Sequence, residues 1–330
     1  MIMKERTFQP TLIDFDQSLK GICFLLTGVL LFSLQDVFIK WISNGYPVHE
    51  ILFVRSLTAI GPILLIAGVE GGLQLLSPRH LPLHLLRAGL IFVAYTSYYL
   101  AMAALPLAET VSLFFTAPLF ITLLSIHTLG EKVGWTIWIA LIAGFFGVLC
   151  IARPGSGILD PAALLPLLSA VSYAFLVILT RRLGREASGA SLAFYPTLVF
   201  LLVTGCIGLI WGWSGLGDPT HPSPQFLTRA WSIPDLRDLA LMIACGLIAA
   251  MGFYCLFQAY RLARTSTVTP FEYAYVPLGC LWGAVFWQEV PSIWSVVGMI
   301  FIVVSGIHLA IGHRLMKRSR VGGSWTRPGV

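Results

Sequence analysis

The sequence predicts an all-α integral membrane protein: ten transmembrane helices arranged as two inverted five-helix repeats. Three observations carry that expectation. Of 330 residues, 57% are hydrophobic and only 11% charged, too little charge to coat a soluble domain. The apolar residues fall in blocks of ~20, the length that crosses a hydrocarbon core of ~30 Å at about 1.5 Å per residue. Residues 94–110 match residues 249–265 at six of seventeen aligned positions, with Tyr99 falling on Tyr254.

Within lipid every backbone N–H and C=O must be satisfied inside the protein, so the blocks read as helices. They cover 21–43, 48–69, 83–105, 107–129, 133–152, 161–183, 190–213, 238–261, 267–288 and 291–312. Gly45, Pro47, Pro78, Pro82, Pro106, Gly130, Pro154 and Pro291 mark short connections between them. One connection is long, Gly215 to Leu236, with Pro219, Pro222, Pro224 and Pro234, and is read as a loop too small to be a domain. A second pair of marks reinforces the duplication: Pro118 precedes Glu131 at nearly the spacing at which Pro277 precedes Glu289. Five crossings per copy force the second copy upside down, a design typical of secondary transporters. The expected organisation is a tail at 1–20, repeats at 21–152 and 161–312, and a basic tail at 313–330.

Charge sets the orientation. Sixteen Lys and Arg residues fall on the side of the termini and four on the other (Lys40, Arg153, Arg229 and Arg237), with Arg55 left inside a block. Both termini are therefore expected in the cytoplasm, and the long loop outside. The formal net charge of +6 is scattered singly, except for Arg314, Lys317, Arg318 and Arg320 beside the last block. That is a juxtamembrane cluster facing anionic lipid, which excludes nucleic acid as a partner. The six cysteines lie inside apolar blocks without C-x-x-C spacing and read as small buried hydrophobes. The first block carries Gln35, Asp36 and Lys40 and does not read as a removable signal sequence.

Ionisable side chains in membrane helices are costly and call for a reason. Asp36 and Lys40 stand four apart on one face of the first helix, where they can pair with each other. Asp36 and Arg55 lie at equal depth on antiparallel neighbours, which also allows a salt bridge, and Tyr99 shares that depth. The readings are a packing ion pair or a share in substrate or ion binding. Tyr254, Gln258 and Arg261 recur along one face of the eighth helix. Glu272 opens the ninth, beside Tyr273 and Tyr275, either paired with Arg261 or Arg264 or serving as a cavity carboxylate. Tyr173 and Trp282 read as packing residues or as stacking platforms. His127 and His308 are lone residues near helix ends. Glu131 and Glu289 end helices at opposite faces, too near the surface for a central site. Gly144, Gly147, Gly298 and Gly306 suit close helix approach.

At these residues the chain resembles the drug/metabolite transporter superfamily, in the form with two tandem EamA-type domains. The matching stretches run from Asp36 to Trp41, Glu50 to Ser56, Pro118 to Glu131, Ala259 to Ala263 and Pro270 to Tyr273, within a resemblance covering about residues 20–312. The Asp36–Lys40 and Pro270–Tyr273 motifs look like the branch of riboflavin, S-adenosylmethionine and opine-metallophore carriers. Gln288 departs from the family's usual glycine before Glu289. The resemblance implies a pathway lined by the first, third, fourth, sixth, eighth and ninth helices, with Tyr99, Tyr254, Gln258 and Glu272 facing it.

The expected function is therefore secondary transport of a small organic metabolite by alternating access, across a bacterial inner membrane. A membrane-embedded enzyme, or a channel or structural protein without carrier activity, is the alternative. No H-E-x-x-H, no paired metal-binding aspartates and no G-x-x-x-x-G-K-[ST] stretch is present. No cofactor is expected. The expected partners are a small-molecule substrate and the bilayer, and a homodimer is compatible with the chain.

Overall fold

The computed structural model describes residues 12–76, 81–129, 135–152, 160–183, 189–212, 214, 217, 219–262 and 271–322. Its helices are α1 (Leu12–Ile42), α2 (Val48–Glu70), α3 (Leu81–Met102), α4 (Leu107–Phe114), α5 (Ala117–Leu129) and α6 (Trp135–Ala152). They continue as α7 (Leu164–Leu183), α8 (Gly189–Trp211), α9 (Pro222–Thr228), α10 (Leu236–Leu262), α11 (Tyr275–Trp287) and α12 (Ile293–Gly322). No strand occurs among the described residues. Among the described residues, six helices are long and apolar enough to cross a membrane, in α1, α2, α3, α7 with the turn ahead of it, α8 and α10, and there are shorter apolar helices as well.

The distribution of polarity is inside out. Ile142, Phe145, Leu209 and Val304 are exposed, whereas Gln35, Asp36, Lys40, Arg55, Thr110 and Ser169 are buried. In water that apolar surface would drive association; in lipid it matches the solvent.

α1 packs along α10, α2 along α8, α3 along α7, α4 along α11 and α6 along α12. The last contact brings backbones together. A Cβ on Gly147 would lie 2.7 Å from the Gly298 carbonyl, and one on Gly298 2.5 Å from that of Gly147. Glycine is needed there by proximity, as the small-residue pattern suggested.

Three expectations need correction. The fourth helix is not continuous over 107–129: it breaks at Phe115 and Thr116 into α4 and α5. Pro118 lacks the N–H that would serve the Phe114 carbonyl, and the Thr116 hydroxyl donates to the Leu113 carbonyl at 2.7 Å. The ninth helix turns likewise at Tyr273 and Ala274, ahead of Pro277, and its expected start at 267–270 lies outside the described residues. There the Tyr273 carbonyl, which Pro277 cannot serve, accepts from Val276 N at 3.1 Å.

The third correction concerns the long connection, which is a packed cap and not a plain loop. Phe226 of α9 is 1% exposed, and Ser223 donates to the Leu100 carbonyl at 2.8 Å. Arg229 donates to the Ser43 carbonyl at 2.9 Å, His221 meets Asp160 at 3.0 Å, and Ser232 N donates to Glu50. Trp231 Nε1 donates to His49. The cap is thereby tied to the α1–α2 connection and the start of α2, to the end of α3 and to the segment ahead of α7. At the other terminus of the chain, α12 continues as helix to Gly322, where a tail from residue 313 was expected.

Candidate functional site

The site is built around Asp36, in the C-terminal half of α1 and 2% exposed. Its Oδ2 accepts from the Tyr98 hydroxyl of α3 at 2.7 Å and from the Tyr275 hydroxyl, at the start of α11, at 2.6 Å. One residue earlier, Gln35 Nε2 donates to the Tyr99 hydroxyl at 2.8 Å. Trp282 Nε1 donates to Ser33 Oγ at 3.1 Å. Three polar positions within one turn of α1, Ser33, Gln35 and Asp36, are thus claimed by α3 and α11. An isolated carboxyl in an apolar interior needs such donors.

The two helix breaks meet beside this cluster. Phe115, in the α4–α5 break, lies 5.4 Å from the ring of Tyr273 and 5.8 Å from that of Tyr275. Phe114 contacts Tyr98 at 5.4 Å and Tyr173 of α7 at 5.6 Å. Edge-on aromatic contacts of this kind hold geometry as well as burying area. Residues of α1, α3, α4, α7 and α11 therefore converge at one level of the bundle.

The expected Asp36–Arg55 salt bridge does not form among the described residues, and neither does the Asp36–Lys40 pair. Asp36 finds two tyrosine hydroxyls instead. Arg55, 4% exposed, lies over the rings of Tyr95, Tyr99 and Phe200, with its guanidinium carbon 5.6, 5.9 and 5.8 Å from their centroids. Arg55 turns toward α3 and α8 instead.

Lys40 reaches past the core to Glu289 Oε1 at 2.7 Å and to the Leu105 carbonyl at 3.0 Å, over the ring of Trp287. Glu289 Oε2 accepts from Leu107 N at 3.0 Å, satisfying one of the orphan donors that open α4. Ser295 donates to Glu109 at 2.6 Å. Glu289, set aside from the sequence as too near the surface, fastens α1, α4 and the α11–α12 turn at the same end of the bundle as the α9 cap. Gln288, just before it, has a left-handed backbone (φ 57°), which aims the Glu289 side chain back inward.

Of the other sequence candidates, Tyr99 is buried in the cluster and Tyr173 borders it. Glu272 is half-buried and an electrostatic neighbour of Tyr173 and Tyr273. Of its two expected partners, Arg264 lies outside the described residues, as does Glu131, and the side chain of Arg261 is likewise not among those described. Tyr254 and Gln258 are half-buried on α10 and make no hydrogen bond to the Asp36 cluster. His127 and His308 are exposed. Sequence reasoning missed Tyr98, Phe114 and Phe115. The adjacent tyrosines 98 and 99 were the available signal, since a helix turns by only about 100° per residue and both can face inward.

Comparison with known proteins supplies the rest. The chain is 22% identical to the S-adenosylmethionine uptake transporter of Rickettsia prowazekii, over 92% of this chain and 96% of that one. It is 28% identical to the pseudopaline exporter CntI of Pseudomonas aeruginosa, over 88% and 95%. To the riboflavin transporter of Vibrio cholerae it is 29% identical, over 87% and 91%. A solved crystal structure of a protein shares the fold, with a TM-score of 0.60 at 19% identity over 89% of this chain and 98% of that chain. Residues 19–153 and 160–310 each match the EamA-like transporter family. The chain therefore belongs to the EamA-like transporter family, within the drug/metabolite transporter superfamily, and is a multi-pass membrane transporter and not an enzyme.

Proposed function

We propose that the chain moves a small organic metabolite by alternating access, through a site where the α4–α5 break and the break ahead of α11 cross beside Asp36. That crossing is the observation that carries the reading. Broken helices in membrane carriers free backbone groups and allow two halves to rock about a central site.

The helix pairing supports two inverted repeats. Counted with α4 and α5 as one helix and α9 omitted, the first helix pairs with the third of the second half, and the third with the first. The second, fourth and fifth each pair with their own counterparts. A pseudo-two-fold axis in the membrane plane generates such reciprocity. It fits ten crossings, repeats near 21–152 and 161–312, and both termini in the cytoplasm of a bacterial cell.

The pathway runs along α1, α3, α4, α7, α10 and α11, with Tyr99, Tyr173, Tyr254, Gln258, Glu272 and Tyr275 along it. The relatives are named for chemically different cargo and for both uptake and export. The shared fold thus speaks for a carrier of organic metabolites more than for one cargo. Counterflow in proteoliposomes tests the reading. Labelled S-adenosylmethionine and riboflavin are offered to vesicles preloaded with the same unlabelled solute. Transient accumulation of either, abolished in Asp36→Asn, is expected; accumulation unchanged by that substitution would remove Asp36 from the site.

A further inference from the structure

Arg55 is the one buried cation in the described core whose guanidinium has no acceptor. Lys40 is spent on Glu289 and Leu105, while Arg87 donates to the Leu192 carbonyl. Arg55 has neither ion pair nor hydrogen bond through its side chain, and its Nε is sealed away without a partner. Its surroundings are three aromatic faces. These offset part of the cost of desolvation but accept no N–H. Native interiors rarely leave such a group unserved. Asp36 is an electrostatic neighbour of Arg55 but makes no ion pair or hydrogen bond with it, its Oδ2 being held by Tyr98 and Tyr275.

Arg55 also lines a narrow crevice, with a cavity volume of about 10 Å³ in this conformation. The crevice lies between α2, α3, α8 and α10, is lined by Arg55, Ser56, Tyr95, Thr197 and Phe200, and continues along Ile63 and Phe253. Since α2 and α10 both run away from the capped end, the crevice leads from Arg55 toward the opposite face. That face is not tied by the α9 cap or by the Lys40–Glu289 pair.

We propose that Arg55 and its collar of Tyr95, Tyr99 and Phe200 form the docking point for a carboxylate on the transported metabolite. The planar fork of the guanidinium matches the two oxygens of a carboxylate, and the aromatic faces receive a flat or apolar body beside it. The assignment rests on the transport reading for the ligand's role, but not for the existence of an anion site. It divides the work of the core. Asp36, with two hydroxyls on one oxygen, suits a cationic or hydrogen-donating group, and Arg55 suits the acid, with Tyr99 between them. Substrates bearing a carboxylate and a donor nitrogen fit both.

The test uses the full-length protein, purified without added ligand, and reads its thermal midpoint against benzoate and the uncharged benzamide at matched ionic strength. Benzoate is expected to raise the midpoint with concentration, as a ligand of the folded state must, and benzamide to leave it in place. Arg55→Met, which keeps the length and removes the charge, is expected to lose the benzoate response. Its own midpoint should equal or exceed that of the wild type, because no acceptor is orphaned. Arg55→Lys should retain a reduced response, which separates loss of the site from loss of the fold. Absence of a benzoate response in the wild type, an equal response to benzamide, or an undiminished response in Arg55→Met would each overturn the proposal. A benzoate response in a protein that shows no counterflow of S-adenosylmethionine or riboflavin would remove those two solutes as cargo and leave the anion site standing.

Discussion

Asp36 and Lys40 stand one helical turn apart on α1, and each is answered from another part of the chain: Asp36 from Tyr98 and Tyr275, Lys40 from Glu289. Removing one partner of a buried pair leaves the other charge uncompensated and typically costs ~3–5 kcal/mol. The Lys40 side chain is 9% exposed and that of Glu289 24%, so water relieves part of that penalty. Lys40→Gln and Glu289→Gln should each destabilise the protein by about 1–3 kcal/mol. The double variant should lose less than the sum of the two, as expected for residues in contact. Denaturation of the four proteins in one detergent checks this, and strict additivity would mean the pair contributes nothing.

Tyr275→Phe should act differently, lowering stability by about 0.5–1.5 kcal/mol for one hydrogen bond while reducing counterflow more severely than that loss explains. The polar residues themselves were legible in the sequence, because an ionisable group in an apolar block announces itself. Their partners were not. Glu289 lies 249 positions from Lys40, and equal depth says nothing about the direction in which a side chain leaves its helix.

At the scale of elements, the ten blocks were read from their length, and six of them match described helices within three residues at both ends, while the first and the last lie, to within two residues, inside the longer α1 and α12. The breaks were hidden. Pro62 and Pro196 lie inside the continuous helices α2 and α8, so a proline in an apolar block does not by itself announce an interruption. What distinguishes Pro118 and Pro277 is tertiary, since the breaks ahead of them touch through Phe115 and Tyr273. If those breaks serve movement, repairing one should trade function for rigidity. Pro277→Ala restores an N–H for the Tyr273 carbonyl. It is expected to hold or raise the thermal midpoint while slowing counterflow, and a faster carrier would contradict that role. The α6–α12 contact has the opposite character. Gly298→Ala drives a methyl into the Gly147 backbone and should cost about 1–3 kcal/mol, the range for overpacking.

Across the whole molecule, the asymmetry of sixteen basic residues to four is the basis for expecting both termini in the cytoplasm. The cap determines where that orientation is best probed. Ser223 is buried and bonded to Leu100, whereas Thr220 is exposed just ahead of α9. In a background without the six native cysteines, Thr220→Cys should react with an impermeant thiol reagent in intact cells and Ser319→Cys should not.

The central claim is that the end closed by α9, Lys40 and Glu289 opens during the cycle, as a rocking carrier requires. Asn44, in the α1–α2 turn, and Val290, after Glu289, are exposed on either side of the Lys40–Glu289 pair. Spin labels at these two positions report their separation by double electron–electron resonance in nanodiscs. The account predicts one short distance in the otherwise unaltered protein and a second, longer population once Glu289→Gln removes the tie. A single distance, identical with and without that substitution, would contradict it.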